Sequence, residues 1–487
     1  MTDPAGNDLA VTVNGTNGAD EITAQGQATN AVDVTVNDGP TVSYTGVANL
    51  SLLAQNGDDN ITVDVNVVGL GVAITANGGL PTTGSDALRV TGVDGDPADA
   101  VAFTPTSADD GTLTVTGQAI NIVNVESVVY DGQADGDNLT VMGAGRFIHT
   151  PGSNVDAGTL QVDSDLGITY VNLGAAGTVT ANGTGAADTL AVQGTGGSDT
   201  LAIAFTGSNA IGVDLTSAAG THVALRSTAV ENYEINALEG DDDINLTAPV
   251  NATGSFTVYG GGPSAGSDTL NLTGAAGTIE TVIIRPDATN RDDQDILGLG
   301  AQIDTTGLEL ITYTGMDGDD TLTVEPGAGD DMTFVSRGVS RDVIAANSLP
   351  TIEYESVNNV NITNTGGTDT VEIAPTNLSG FAGAFTVNGD AVAPIDDVLR
   401  LVGTEAADTV TSGTTTVTVN GTTITAGTNL DELQINTLGD DDTVTMGNFG
   451  LATIIDGGSG ADTVNAAAMA GAPVTLIGGA GDDTLTG

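Results

Sequence analysis

The sequence predicts an all-β protein built as a parallel β-solenoid, a β-helix-like stack of irregular coils. The first observation behind this fold class is the composition of the 487 residues, which include 51 Asp, 13 Glu and 69 Gly beside many Val and Thr. Asp and Gly favour turns, whereas Val and Thr favour strands. Aromatic residues make up only 3% of the chain, so small aliphatic side chains are expected to fill the core.

The second observation is an internal repeat that reads as a strand, an acidic turn and another strand. One module recurs six times, for example as VANLSLLAQNGDDNITV from Val47 and LDELQINTLGDDDTVTM from Leu430. Apolar residues alternate with polar ones on both sides of the turn, which is the pattern of half-buried strands. An Asp lies 12 residues after the first residue of each copy: Asp59, Asp137, Asp242, Asp320, Asp369 and Asp442. A related glycine-rich module places Asp86, Asp268 and Asp397 before a strand.

The spacing between copies varies, which indicates whole coils added or lost, as a stacked architecture tolerates. Coils of roughly 20 to 30 residues would stack at the ~4.8 Å spacing of β-strands. The alternative is a row of tandem β-sandwich domains. Segments such as VTVNDGPTVSYTG from Val34 and TVTVNGTTITAG from Thr416 favour this alternative because they are typical of antiparallel hairpins.

The charge of the chain excludes several classes of function. Eight Arg and no Lys oppose 64 acids, giving a formal net charge of −56, and there is no Cys. Lysine-based covalent catalysis, disulfide bonds and cysteine metal sites are therefore excluded. Nucleic-acid binding is not expected, because phosphates need clustered cations. Membrane insertion is not expected either, since no run of 18 apolar residues occurs.

Two C-terminal segments carry a recognisable motif. GGSGADTVN from Gly457 and GGAGDDTLT from Gly478 match the pattern G-G-x-G-x-D-x-U-x, where U is a large aliphatic residue. They resemble the RTX, or haemolysin-type, calcium-binding repeats. The resemblance implies a Ca²⁺ ion between the two turns. Its ligands would be carboxylates of Asp462 and Asp483, with Asp482 as a further candidate, and carbonyl oxygens of Gly458, Gly460, Gly479 and Gly481.

The resemblance also implies an organisation for the whole chain. Residues 1–450 are predicted to form a degenerate β-repeat solenoid with acidic turns, and residues 451–487 to form RTX-like calcium-binding coils that continue it. The longer part is similar to looser repeats of large secreted bacterial proteins, including surface-layer and adhesin-like ones. Two roles stay open for its turn acids, namely calcium ligation and a structural ladder that accepts backbone amides. The calcium candidates are Asp59, Asp86, Asp137, Asp242, Asp268, Asp320 and Asp442.

These features predict a secreted, calcium-stabilised structural protein that is not an enzyme. It would associate with itself into a surface layer, filament or matrix outside the cell or at its surface. One alternative is the stalk or ligand-binding region of a large calcium-dependent adhesin. Cell-surface polysaccharide is a further candidate partner. Another is a β-helix polysaccharide lyase or hydrolase using the segment RPDATNRDDQD from Arg285, where Arg285 and Arg291 meet four Asp. His149 and His222 lie outside any metal-ligand spacing and are expected at the surface.

Overall fold

The structure is a computed structural model that describes residues 8–80, 86–94, 98–262, 268–290, 293–316, 319–337, 341–347, 349–374, 384–391 and 396–487. These residues form strands joined by turns, and none of them lies in a helix that could cross a membrane. The chain divides into two compact units. One contains Met1–Ile244 with Asn251–Thr257, and the other contains Asn245–Val250 with Val258–Gly487.

The strands are short, and the first 23 belong to the first unit. They are β1 (Leu9–Asn14), β2 (Glu21–Ala28), β3 (Ala31–Val36), β4 (Val42–Thr45), β5 (Val47–Leu53), β6 (Asn60–Asp64), β7 (Ala73–Asn77), β8 (Ala87–Thr91), β9 (Ala100–Pro105), β10 (Gly111–Val115), β11 (Gln118–Val123), β12 (Ser127–Asp131), β13 (Asn138–Gly143), β14 (Arg146–Pro151), β15 (Gly158–Val162), β16 (Ile168–Val171), β17 (Thr178–Gly183), β18 (Thr189–Gln193), β19 (Thr200–Gly207), β20 (Ala210–Ser217), β21 (Gly220–Thr221), β22 (Ala224–Thr228) and β23 (Asn232–Asn236).

Two strands fall at the division between the units, and the remainder belong to the second unit. The two are β24 (Asp243–Thr247) and β25 (Phe256–Tyr259). The others are β26 (Thr269–Thr273), β27 (Thr281–Pro286), β28 (Gln294–Leu297), β29 (Ile303–Thr306), β30 (Leu310–Thr314), β31 (Thr321–Val324), β32 (Met332–Arg337), β33 (Asp342–Ala346), β34 (Thr351–Glu355), β35 (Asn359–Thr363), β36 (Thr370–Ile373), β37 (Ala384–Asn388), β38 (Val398–Thr404), β39 (Thr409–Ser412), β40 (Thr416–Val419), β41 (Thr422–Ala426), β42 (Glu432–Leu438), β43 (Thr443–Thr445), β44 (Ala452–Asp456), β45 (Thr463–Asn465), β46 (Val474–Ile477) and β47 (Thr484–Thr486).

Within each unit the chain winds between two sheets, here called A and B, and pairs mainly in parallel. In the first unit, β6 and β8 pair in parallel in sheet A, while β5 and β7 pair in parallel in sheet B. The register keeps apolar residues in line: Ile61 lies beside Leu88, and Leu88 lies beside Val128. In the second unit, Ile435 of sheet B lies beside Ile455 in the same way. A coil thus contributes one strand to each sheet.

Antiparallel hairpins are inserted into some coils, and the parallel pairing between coils continues beside them. The two segments predicted as hairpins do form them, because β3 pairs with β4 and β40 pairs with β41 in antiparallel fashion. Each hairpin follows a strand that also pairs in parallel with a strand of another coil, as β2 pairs with β6 and β39 with β43. The all-β, solenoid-like prediction is confirmed, and the hairpin signal is explained by insertions that widen a coil.

The core lies between the two sheets of each unit and consists of alternate strand residues. Val, Ile and Leu fill most inward positions, and the polar residues between them face outward. Each fully buried aliphatic side chain contributes about 1.5–3 kcal/mol to folding. Most of the described aromatic residues are also inside, including Tyr130, Tyr233 and Phe147, each with no exposed surface.

The two histidines are buried, so the expectation that they lie at the surface is wrong. His149 is 4% exposed and His222 is 6% exposed. The Nε2 atom of His149 is 2.8 Å from the Tyr170 hydroxyl, and Nε2 of His222 is 2.9 Å from the Ser217 hydroxyl. Burial, together with the charge of nearby His222, lowers the pKa of His149 to about 4. Both rings are therefore neutral core residues near pH 7.

Candidate functional site

The buried acids of the chain lie at the corners where a strand of one sheet gives way to a strand of the other. Asp59, for example, is fully buried and stands between β5 and β6. It ends a six-residue stretch, Ala54–Asp59, in which the chain reverses from one sheet to the other. We call the stretch that ends at such a buried acid a corner turn. The repeat module of the sequence is therefore a strand, a corner turn and a strand of the opposite sheet.

Successive corner turns are joined by a ladder of hydrogen bonds through these acids. The backbone N–H of Asp20 donates to Oδ1 of Asp59 at 2.6 Å, and that of Asp59 donates to Oδ1 of Asp86 at 2.8 Å. The carbonyl oxygen of Asp59 accepts the N–H of Ala87, which begins β8. The predicted structural ladder of aspartates is confirmed. Further steps join Asp99 to Asp137, Asp199 to Asp242, Glu280 to Asp320, Asp331 to Asp369, Asp369 to Asp397, Asp408 to Asp442, Asp442 to Asp462, and Asp462 to Asp483.

The ladder runs along both corners of the coil. Asp59 and Asp442 stand where sheet B gives way to sheet A, whereas Asp137 and Asp369 stand where sheet A gives way to sheet B. Copies of one sequence module therefore occupy opposite corners. The aligned Asp residues do not form the single column that a uniform repeat would produce.

In one group of corner turns, both oxygens of the acid are satisfied by protein donors, and we call these turns closed. In Gly15–Asp20, the Thr16 N–H donates to Oδ2 of Asp20, while the Asn37 amide donates to Oδ1 at 2.8 Å. Burial alone would raise the pKa of Asp20, but the hydrogen bonds from Thr16 and Asn37 hold it below its ordinary value. The Asp20 carboxylate is thus stable as an anion without a cation.

In a second group the turn residue after the first is left-handed, and we call these turns open. Gln55 has φ = 83°, Leu438 has φ = 69° and Gly458 has φ = 85°. In such turns the N–H of this residue can donate to a side chain two residues earlier instead of to the acid, as Leu438 does to Oδ1 of Asn436 and Gly458 to Oδ1 of Asp456, both at 3.1 Å. Oδ2 of Asp59 and of Asp462 is consequently buried without a hydrogen-bond donor among the described residues. The left-handed position is held by Gln55, Gly79, Gln133, Leu238, Gly261, Leu438, Gly458 and Gly479, although the Asp137 turn that contains Gln133 is satisfied in another way, described below.

Open corner turns carry an electrostatic cost that the closed turn at Asp20 avoids. Burial raises the pKa of Asp59, and the neighbouring Asp86 and Asp20 raise it further against the hydrogen bond from the Asp20 N–H. Burial likewise raises the pKa of Asp86 and of Asp442. A buried anion that lacks a donor needs a proton or a cation.

The two C-terminal turns with the calcium motif stack directly on each other as open corner turns. The Asp462 N–H donates to Oδ1 of Asp483 at 3.0 Å, and the Ala480 N–H donates to the Gly458 carbonyl at 2.7 Å. Asp482 is exposed. The oxygen atoms of these turns fit a cation in part. Oδ2 of Asp462 is buried and has no hydrogen-bond donor among the described residues, whereas the Gly458 carbonyl already accepts a hydrogen bond.

The other predicted metal ligands divide between the two groups. Oδ2 of Asp137 accepts the Tyr130 hydroxyl at 2.8 Å, although Gln133 of its turn is left-handed, and Oδ2 of Asp320 accepts the Met316 N–H at 3.0 Å. Both acids are satisfied by the protein, so we count both turns as closed. Asp242 and Asp268 follow left-handed residues, Leu238 and Gly261 respectively, and both are 1% exposed. The tyrosine that caps Asp137 comes from β12 of the same module.

A further acidic cluster was not singled out from the sequence. Asp369, Asp390 and Asp397 place carboxylate oxygens within 4.8 Å of one another, and all three are buried. Burial and the charges of Asp397, Asp331 and Asp390 raise the pKa of Asp369 to about 7. Two unit charges at that separation repel by about 3.5 kcal/mol at an effective dielectric constant of 20. Asp390 lies outside the repeated sequence pattern, in the inserted segment GDAVAPIDD, so the repeat alone does not identify it.

In the segment proposed for polysaccharide cleavage, Arg291 lies outside the described residues, whereas Arg285, Asp287 and Asp295 lie within them. The Arg285 guanidinium is held 3.3 Å from Asp295 and 3.9 Å from Glu325, beside a cavity of about 200 Å³. Hydrogen bonds, first from the Thr289 hydroxyl, lower the pKa of Asp287 to about 2. That carboxylate is too weak a base for efficient proton transfer near pH 7.

Comparison with protein-family models and with curated proteins finds no match to this chain. The corner turns are therefore the most informative features that bear on its function.

Proposed function

We propose that the chain is a secreted structural protein whose coil stacking is stabilised by Ca²⁺ held at the open corner turns. The observation that carries the proposal is the set of buried carboxylate oxygens without a donor, exemplified by Oδ2 of Asp59 and Asp462. Each belongs to an acid that also links two coils through its Oδ1. A cation bound there would act on the same contact that joins the coils.

Calcium suits these turns better than the other common divalent cations. The available donors are carboxylate and carbonyl oxygens, and no Cys exists in the chain to favour a softer metal. Ca²⁺ accepts six to eight oxygens in flexible geometry, whereas Mg²⁺ demands a near-ideal octahedron. Bound Ca²⁺ would supply positive charge that offsets both the buried carboxylates and part of the net charge of −56. Calcium is plentiful outside cells, which supports an extracellular role.

Thermal unfolding with and without a chelator tests this proposal. A ligand at 100 times its Kd stabilises a folded protein by about 2.7 kcal/mol per site. Several occupied turns should therefore raise the melting temperature in 1 mM Ca²⁺ by roughly 10 °C or more over the value in EGTA, since 1 kcal/mol shifts Tm by about 2–4 °C in units of this size. Mg²⁺ at the same concentration should restore much less. Equal melting curves in EGTA and Ca²⁺ would contradict the proposal.

Assembly is the second part of the proposal, and it is tested separately. Exposed acids such as Asp58, Asp241 and Asp441 precede the buried acids of open corner turns. Repulsion among such acids opposes association of two copies unless a cation lies between them. We expect sedimentation velocity to show calcium-dependent oligomers at micromolar concentration and monomers in EGTA. Monomers in both conditions would leave calcium stability intact and remove self-assembly from the proposed function.

A further inference from the structure

Three buried aspartates from two successive corner turns meet at one point of the second unit. Asp369 ends the turn between β35 and β36, whereas Asp390 and Asp397 belong to the turn between β37 and β38 in the next coil. Their carboxylate oxygens all lie within 4.8 Å of one another. Asp369 and Asp397 are each 1% exposed and Asp390 is 7% exposed. None of the ion pairs among the described residues reaches Asp369 or Asp397.

Backbone amides hold two of these carboxylates in place. Asp397 accepts the Asp369 N–H at 2.9 Å on Oδ1 and the Asp390 N–H at 2.8 Å on Oδ2. Oδ1 of Asp369 accepts the Asp331 N–H at 2.8 Å, but its Oδ2 is buried and finds no donor among the described residues. The cluster is therefore positioned by the fold, and one of its oxygens still lacks a partner.

A separate observation comes from Asn364, which lies at the first position of the turn that ends at Asp369. It is 3% exposed, and neither its Oδ1 nor its Nδ2 has a hydrogen-bond partner among the described residues. Most corner turns have glycine at this position, because a Cβ there would lie against Oδ2 of the turn's own acid, as at Gly315 and Asp320. The Asn364 side chain therefore starts beside the carboxylate of Asp369.

The register of the strands places Asn364 beside the other two acids as well. Thr363 pairs with Asn388, and the Asn364 N–H donates to the Asn388 carbonyl, so Asn364 lies beside Gly389 of the next coil. A Cβ at Gly389 would in turn lie against Oδ2 of Asp397. A buried amide with no partner is costly unless a ligand satisfies it. Asn364 thus lies at the cluster with an unused acceptor oxygen.

We propose that Asp369, Asp390 and Asp397, together with Oδ1 of Asn364, bind one Ca²⁺ ion that joins these two coils. All four candidate ligands are oxygens, which selects a hard cation. Ligands of one Ca²⁺ at 2.3–2.6 Å lie at most roughly 5 Å apart, which matches the separation of at most 4.8 Å among the three carboxylates. The inference rests on the proposed function only for the identity of the ion. The site lies outside the C-terminal motif, and its third carboxylate comes from an insertion.

Calorimetric titration of the whole chain with Ca²⁺, after removal of divalent ions, tests the site. Asp390→Asn keeps the shape of the side chain but removes a charged ligand, so one class of sites should weaken by at least about tenfold or disappear. Asp396→Asn is the matched control, because Asp396 lies exposed in the same turn. The screened charge of Asp396 should leave every Kd within about twofold of the parent value.

Asn364→Asp provides a test in the opposite direction. A fourth carboxylate should tighten the same site for Ca²⁺, while it lowers the melting temperature in EGTA by adding a buried charge. This pair of effects separates ligation from a structural role, which predicts only the loss of stability. The circular dichroism of each variant in EGTA checks that the fold is retained.

The results also distinguish this site from the general calcium dependence. Weaker binding in Asp390→Asn with tighter binding in Asn364→Asp would support it. Unchanged affinities and stoichiometry in both variants, with a parent that binds and is stabilised by Ca²⁺, would overturn this site and leave the proposed function standing. A parent that neither binds Ca²⁺ nor melts differently in EGTA would overturn both.

Discussion

Two adjacent acids of the ladder should respond in opposite directions to the same substitution. Asp20 ends a closed corner turn and Asp59 ends an open one, and the Asp20 N–H donates to Asp59. The pKa of Asp20 lies below its ordinary value, whereas that of Asp59 is raised by burial. Substitution by Asn removes the charge and keeps the shape of each side chain. The fold in EGTA should tolerate this loss at Asp59 and not at Asp20.

The magnitudes follow from the partners of each oxygen. At Asp59, a like charge one coil away, at roughly 4.8 Å, repels by about 3.5 kcal/mol at a dielectric constant of 20. The new amide nitrogen costs about 1–3 kcal/mol if it finds no acceptor. Asp59→Asn should therefore stabilise the protein in EGTA by about 0.5–2.5 kcal/mol. At Asp20, the amide nitrogen would face the Thr16 N–H or the Asn37 amide, so Asp20→Asn should lose about 1.5–3 kcal/mol.

Differential scanning calorimetry of the parent and the two variants, in EGTA and in Ca²⁺, measures both effects. Each kcal/mol corresponds to about 2–4 °C in Tm for units of this size. In Ca²⁺ the order should change, because the parent gains stability from an ion at Asp59 and Asp59→Asn does not. If Asp59→Asn lowered Tm in EGTA as much as Asp20→Asn, or gained as much from Ca²⁺ as the parent, the distinction between open and closed corner turns would be refuted.

Three further predictions concern the turns and the pH. Gly460→Ala should lower Tm more than Gly471→Ala. Both glycines have positive φ, but of these two only Gly460 would place a Cβ against a backbone atom, the Asp440 carbonyl oxygen of the preceding coil. Equal losses of Tm would mean that the contact between coils at this corner is unimportant. Asp462→Asn combined with Asp483→Asn should lower the calorimetric Ca²⁺ stoichiometry, and an unchanged stoichiometry would exclude a site between the two C-terminal turns. In protein freed of divalent ions by dialysis, Asp369 should contribute a fall in stability as pH rises from about 4 to 8, because its raised pKa of about 7 means that the folded state holds a proton the unfolded state has released. Saturating Ca²⁺ near neutral pH should remove this contribution, and a rise in stability with pH in the ion-free protein would contradict it.

Much of the fold could be predicted from local sequence patterns. Alternating apolar residues before and after Asp59 and Asp442 predict the flanking strands, and the constant offset of 12 residues predicts that these acids occupy equivalent turns. Local preferences decide these features, because strand alternation and turn residues act over a few positions. The hairpins from Val34 and Thr416 were equally predictable, although their insertion into parallel sheets was not.

The sequence by itself determined that acids recur at the corners of stacked coils, and that glycines allow the C-terminal turns to form. Only the tertiary structure decided what each acid does there. Asp137 and Asp59 share a module, yet a tyrosine hydroxyl satisfies Asp137 while Oδ2 of Asp59 has no donor among the described residues. The physical reason is that a donor must reach the buried oxygen in three dimensions, as the Tyr130 hydroxyl reaches Oδ2 of Asp137 and the Asn37 amide, from outside the turn, reaches Oδ1 of Asp20. In the same way, the meeting of Asp369 with Asp390 depends on the register of two coils, which the repeat pattern does not encode.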